Sequence, residues 1–150
     1  MAELKDRLRT DLTTAMKARD TVRTRTLRSA LTAVSTAEVA GRTSRELSDD
    51  EVIKVLAREA KRRREAADAF DAAGRAEQAS AERAEGDVLE GYLPAQLGDD
   101  ELAAIVAAGI AESGAAGPRA MGQVMKVVTP QIAGRAEGAR VAAEVRRQLG

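Results

Sequence analysis

Apolar residues recur along this chain at intervals of three and four, the period of a helix with one buried face. Nowhere do they alternate with polar residues as a half-buried strand requires. Leu4, Leu8, Leu12 and Ala15/Met16 mark a first helix. Asp20 can cap a second, whose stripe is Leu27, Ala30/Leu31 and Val34 and which ends before Gly41. The run Leu47-Ser48-Asp49-Asp50-Glu51-Val52 is the strongest helix start in the sequence. Ser48 and Glu51 can exchange bonds with each other's backbone as a capping box, and Leu47 and Val52 can close a hydrophobic staple around them. That third helix carries Val52, Leu56, Ala66/Ala67 and Phe70 to Gly74, a residue suited to the left-handed position after a helix. A fourth covers about Arg75 to Glu90. It stops before Tyr92-Leu93-Pro94, because a proline disfavours helix at the residue before it.

Beyond that break the start signal returns as Leu97-Gly98-Asp99-Asp100-Glu101-Leu102, opening a fifth helix that runs to about Glu112. Gly114 to Gly117 reads as a turn, and Pro118 as the first residue of a sixth helix with Met121, Val124, Met125 and Val128 on its inner face. Pro130 and Gly134 are expected to close it, and a last helix runs from about Glu137 to Leu149. The pattern therefore predicts an all-α protein with a helical N-terminal lobe, residues 1–93, and a smaller three-helix C-terminal lobe, residues 94–150. The recurrence of the capping signature is read as two good helix starts and not as a duplication.

Composition narrows what such a protein can do. Apolar residues make up 44% of the chain, enough for a core, but Phe70 and Tyr92 are its only aromatics and there is no Trp. The helices must then meet through Ala, Leu, Val and Ile, with modest burial at each contact. No Cys means no disulfide and no thiolate nucleophile, and no His removes the commonest general base and metal ligand. Glu82 and Glu85 have the i, i+3 spacing of helical metal sites but lack the matching His, so no metal and no cofactor is expected. The start, Met1-Ala2-Glu3-Leu4-Lys5-Asp6, has no apolar leader, and no stretch approaches the ~20 apolar residues of a membrane span. A cytoplasmic protein with no membrane partner is the expectation.

Lys plus Arg and Asp plus Glu number 24 each, so only their distribution is informative. Basic and acidic residues number 16 and 10 from Met1 to Arg64, 2 and 11 from Glu65 to Glu101, and 6 and 3 from Leu102 to Gly150. The third helix carries Lys54, Arg58, Lys61, Arg62, Arg63 and Arg64, which would suit phosphates. Helical spacing also pairs Glu59 with Arg62 and Arg63, Lys61 with Glu65, and Arg64 with Asp68, so a self-paired, solvated face is the preferred reading. Arg23 on the second helix and Glu59 and Arg63 on the third fall on the apolar faces. An unpaired charge there is too costly, so these three are expected to form a structural ion-pair network or, less favoured, to line a groove that meets a partner.

The C-terminal segment holds Met121-Gly122-Gln123-Val124-Met125 and Thr129-Pro130-Gln131-Ile132-Ala133-Gly134-Arg135-Ala136-Glu137-Gly138. Gly122 would permit a close helix contact. Gly134 and Gly138 flank Arg135 at the start of the last helix, where backbone N–H groups with Lys126, Arg135 and Arg140 nearby could receive a phosphate. A tight helix corner is the plainer reading of the same residues, and the spacing is not that of a nucleotide P-loop.

This run resembles the C-terminal signature shared by YqeY-like proteins and the tail domain of GatB, the B subunit of the glutamine-dependent Asp/Glu-tRNA amidotransferase. Arg23 to Arg28, Glu59-Ala60-Lys61 with Arg63, Gly74-Arg75 and Tyr92-Leu93-Pro94-Ala95-Gln96-Leu97 are also similar to the YqeY-like pattern, so the likeness spans essentially the whole chain. It implies a GatB-tail-like C-terminal lobe and, since the GatB tail helps hold tRNA, a role near tRNA. The chain departs from the pattern at Arg119-Ala120, where an acidic residue is usual, at Glu137 for Asp, and at Gly86 for an apolar residue.

The expectation that follows is a non-catalytic accessory module binding tRNA or a tRNA-handling enzyme through Lys126, Gly134, Arg135, Gly138 and Arg140. The alternatives are a helical protein–protein adaptor that never touches RNA, and a carbon–nitrogen ligase using glutamine as amido donor. The last rests on family association alone, since the sequence presents no activated nucleophile and no ATP motif.

Overall fold

The computed structural model describes residues 3–114 and 116–150, and the start of the chain at Met1 and Ala2 lies outside the described residues. Among those described there are seven α-helices and no strand: α1 Glu3–Lys17, α2 Thr21–Glu38, α3 Asp49–Ala72, α4 Ala76–Glu90, α5 Asp99–Ser113, α6 Met121–Ile132 and α7 Gly138–Leu149. One compact unit closes at Leu93 and a second opens at Pro94.

Local chemistry accounts for most helix ends. Asp20 accepts from the Arg23 N–H at 3.1 Å, giving α2 its cap. At α3 the full capping box forms, with the Glu51 N–H on Ser48 Oγ and the Ser48 N–H on Glu51 Oε1, both at 3.3 Å. Leu47 and Val52 are both buried on either side of it. Gly74, at φ 75°, takes the left-handed position after α3. Gly98 has no side chain to cap α5, so only the reciprocal half survives there, from the Gly98 N–H to Glu101 Oε1 at 3.3 Å.

In the first unit Leu8, Leu27, Val34, Val52, Leu56 and Leu89 form the centre of the core. The Ala15/Met16 pair resolves to Ala15, which is buried, while Met16 is half exposed. The most extensive pairing joins α3 to α4. Ala60, Ala67 and Ala79 are fully buried and Gly86 is also buried, so small residues stand where the aromatic-poor composition requires close helix approach. A Cβ on Gly86 would meet only Arg63 Cβ, at an ordinary 3.8 Å. The glycine therefore lowers helix propensity without being required by space.

The second unit packs α5, α6 and α7 around Val106, Val124, Val128 and Val145, with Leu97, Leu102, Ile132 and Val141 completing the core. Two details of the sixth helix differ from the sequence pattern. Pro118 begins a separate 3-10 turn, Pro118–Ala120, and α6 starts at Met121. Pro130 does not end α6, which continues to Ile132. The proline is exposed and sits in the last turn, so the i→i−4 bond it cannot make is lost with little helix beyond it, and burial of Ile132 holds that final turn. The chain turns only at Ala133, φ 23°, and Gly134, φ 78°. The turn expected over Gly114 to Gly117 includes Ala115, which lies outside the described residues; Gly114 and Gly117 themselves have φ 65° and 81°.

Gly122 is also corrected, since it is exposed and has nothing within 4 Å of where a Cβ would stand. The close approach is instead at Gly109 of α5, where a Cβ would lie 2.3 Å from Val128 Cγ1. Val128 is fully buried and β-branched, so it cannot swing away. Gly109→Ala gains about 1 kcal/mol of helix propensity but overpacks a rigid contact at about 1–3 kcal/mol. The clash is expected to win, lowering the melting temperature, while Gly122→Ala and Gly86→Ala raise it. Thermal melts of the three variants check the order.

Candidate functional site

The charged residues of α2, α3 and α4 converge on one buried carboxylate. Glu85, with 7% of its side chain exposed, accepts from Arg25 Nε at 2.7 Å through Oε1 and from Arg63 Nη1 through Oε2. Arg63 also reaches Glu82 at 3.2 Å and Ser29 Oγ at 3.3 Å. Both arginines are reached from the inner face of α4, because Glu82, Glu85 and Leu89 fall on the helical stripe packed inward. The Glu82 and Glu85 pair thus holds arginines, and among the described residues no group of carboxylates could hold a metal ion.

The expected network of Arg23, Glu59 and Arg63 is not what forms. Glu59 pairs with Arg62 at 2.9 Å across the surface of α3. Arg23 donates to the Tyr92 hydroxyl at 3.3 Å, and Arg63 belongs to Glu85. The helical wheel placed all three on inner faces, but a buried guanidinium takes the nearest buried carboxylate, and that one comes from α4. Tyr92 forms a second centre: its hydroxyl donates to Asp11 Oδ2, and the Arg7 guanidinium lies 4.9 Å from the ring centroid. Burial, followed by the bond to Asp11, pushes the phenol up to about 12. A third pair, Lys5 with Glu38 at 2.7 Å, ties α1 to the end of α2. The Lys5 bond and the Leu47 N–H at 3.1 Å hold the Glu38 carboxyl below its ordinary range.

The basic face of α3 is only partly self-paired. Lys61 meets Glu65 at 3.9 Å, but Arg64 reaches Glu90 at 2.9 Å and Asp68 is taken by Arg83, so the expected Arg64–Asp68 pair is replaced by contacts to α4. Between α2 and α3 lies an open groove of about 820 Å³. Ser29, Thr32, Ala33 and Thr36 line one wall, and Lys54, Arg58, Glu59 and Arg62 the other. Among the described residues Lys54 and Arg58 have no ion-pair partner.

In the second unit the α6–α7 corner is pinned from several sides. The Arg135 N–H donates to the Ile132 carbonyl at 2.8 Å, the Arg135 carbonyl accepts from Leu97 N–H at 2.8 Å, and Gln96 Nε2 donates to the Gly134 carbonyl at 3.0 Å. Gly134 needs its positive φ to make that corner, and Gly138 is the first residue of α7. Lys126 is exposed and Arg135 half-buried, and neither makes an ion pair among the described residues. Arg140 instead binds Asp99 Oδ1 at 2.8 Å. That competing carboxylate was not foreseen because Asp99 reads in the sequence only as a first-turn residue of α5.

The sequence model of one protein family, described as Yqey-like protein, matches residues 5–149. No curated protein matches the chain.

Two outcomes test this charge geometry. Glu85→Ala leaves Arg63 with Glu82 as its one carboxylate and Ser29 as a neutral acceptor, and should cost about 2–3 kcal/mol. Glu59→Ala releases a largely exposed Arg62 and should cost under about 1 kcal/mol; denaturant titrations of both variants check the contrast. For Tyr92, the folded state holds the phenolic proton more tightly than the unfolded chain, whose phenol titrates near 10. Its stabilisation is complete below about pH 10 and is lost as the pH rises from there to about 12. Because Tyr92 is the only tyrosine, tyrosinate absorbance should show a single late transition that moves down to the ordinary value in denaturant.

Proposed function

This chain belongs to the YqeY-like family, and from that premise we propose that it is a non-catalytic accessory module that binds tRNA, or an enzyme that handles tRNA, through the α6–α7 corner. The observation that carries the reading is Arg135. Its backbone is fixed by hydrogen bonds on both sides while its guanidinium has no carboxylate partner. A cation without a counter-ion on a backbone already fixed can meet a phosphate with only its own side-chain rotamers left to order. Lys126 adds a second unpaired charge. Arg140 contributes less, because Asp99 must be displaced, although that pair is exposed and weak. The resemblance of this segment to the GatB tail points to the same ligand. Binding through so few cations is weak and falls with salt.

A second reading is a protein–protein adaptor, favoured by the open α2–α3 groove, whose small-residue wall would admit a partner helix.

The two readings separate in a salt series. For the full chain binding tRNA, Arg135→Ala should flatten the slope of log K against log salt by about 0.7–0.9. Asp99→Ala should steepen it by freeing Arg140. An Arg135→Ala curve identical to the parent's would remove the corner from RNA contact, and no binding at low salt would leave the adaptor.

A further inference from the structure

We propose that the hollow at the α1–α2 corner is a phosphate-binding site, taking the phosphate groups of an extended polyanion. It lies in the other unit from Arg135 and does not rest on the α6–α7 reading.

The hollow measures about 520 Å³ and is lined by Met16, Arg19, Thr21, Thr24, Arg25 and Arg28. Its charge is of one sign, with three arginines and no carboxylate in the lining. That separates it from the α2–α3 groove, where Glu51 and Glu59 line the wall and bind Arg45 and Arg62. Of these three guanidiniums only Arg25 has a counter-ion among the described residues, Glu85, which Arg63 also shares; the excess positive charge is self-repelling, and an entering anion relieves the repulsion.

Each arginine is tethered in a way that leaves donors unspent. Arg25 gives Nε and Nη2 to Glu85, whose burial fixes it, yet 60% of the Arg25 side chain remains exposed and its Nη1 has no partner among the described residues. Arg28 makes only a soft contact to Met16 Sδ, at 3.7 Å. Arg19 has no ion pair among the described residues and occupies the turn after α1 at φ 57°, a conformation that glycine adopts at lower cost. Thr21 and Thr24 line the same hollow, and a threonine hydroxyl can donate as well. Planar guanidinium forks matched with hydroxyls are the donor set that phosphate oxygens take.

The volume exceeds one phosphate, so consecutive phosphates fit. Neither Phe70 nor Tyr92 lines the hollow, so there is no platform for stacking a base, and recognition is of the phosphates irrespective of base sequence. The segment Arg23 to Arg28 supplies two of the arginines, while its third, Arg23, serves Tyr92. The spacing puts Arg25 and Arg28 on one side of α2, since residues three apart share a helical face.

The test uses the isotopically labelled full chain, titrated separately with tripolyphosphate and with a short single-stranded RNA of mixed sequence, with amide shifts followed by NMR. Saturable shifts over Thr21 to Arg28 with either probe are expected. Both probes binding would identify a nucleic-acid backbone as one source, and tripolyphosphate alone a small oligophosphate; both support the site. Arg19→Gly combined with Arg28→Gln should weaken this binding about tenfold or more and flatten the RNA salt slope by about 1.4. Lys54→Gln combined with Arg58→Gln removes the same charge elsewhere on the unit and should leave the shifts intact, as should Arg135→Ala. Both double variants change exposed side chains, and circular dichroism checks that they fold. No saturable shift over Thr21 to Arg28 with either probe, or equal weakening by the two double variants, overturns the proposal.

Discussion

The first unit is organised around a carboxylate that cannot be left alone. Glu85 is carried into the interface of α2, α3 and α4 by the stripe that also buries Ala79 and Leu89. An isolated charge there would cost several kcal/mol. Arg63 and Arg25 neutralise it from two different helices, so three elements are tied at one point by bonds that depend on direction as well as on burial. In a core with so few large side chains, apolar packing alone leaves helix registers loosely determined. The Glu85 centre, with the Tyr92–Asp11 and Lys5–Glu38 contacts, supplies the missing specificity at separate places around the unit.

The second unit solves the same shortage of bulk differently. Its core is almost wholly Val and Leu, and it gains contact by bringing α5 and α6 close enough at Gly109 that no side chain fits opposite Val128. Fewer charges are consumed in holding it together. Arg135 and Lys126 remain available on the outside, and the bonds that shape the corner come from the Leu97 N–H and the Gln96 side chain, a short step beyond Pro94.

Which cations could meet an anion is thus a matter of which ones the fold has already used. Arg63 is spent on structure, Arg23 is held by Tyr92, and Arg140 is shared with Asp99. Arg25 is an intermediate case, fixed through one edge by Glu85 and open at the other. The balance of 24 basic and 24 acidic residues conceals this, because most acidic residues of the first unit are engaged by particular arginines and lysines while a few arginines have none. Local charge left over after pairing, and not net charge, governs where an anion is held.

Seven helices, the caps at Asp20 and Ser48 and the break before Pro94 could be read from the chain because each depends on residues only a few positions apart. Periodicity, a capping side chain and a proline all act within about one helical turn. The family is likewise carried by short local runs. Contacts between helices are another matter. The pattern shows that Arg23, Glu59 and Arg63 lie on inner faces but not what faces them, and Glu85 becomes the partner of Arg63 only when α4 folds back along α3. Gly122 and Gly109 look alike in sequence, and which of them must be glycine depends on the position of Val128 in the neighbouring helix. The hollow lined by Arg19, Arg25 and Arg28 exists because α1 and α2 meet at a corner. Its lack of a carboxylate is a property of three-dimensional neighbours, and no linear spacing encodes it. Hydrogen bonding and apolar period determined the elements; the pairing of buried charges and the closeness of approach were decided by tertiary packing, where residues far apart in the chain must satisfy one another.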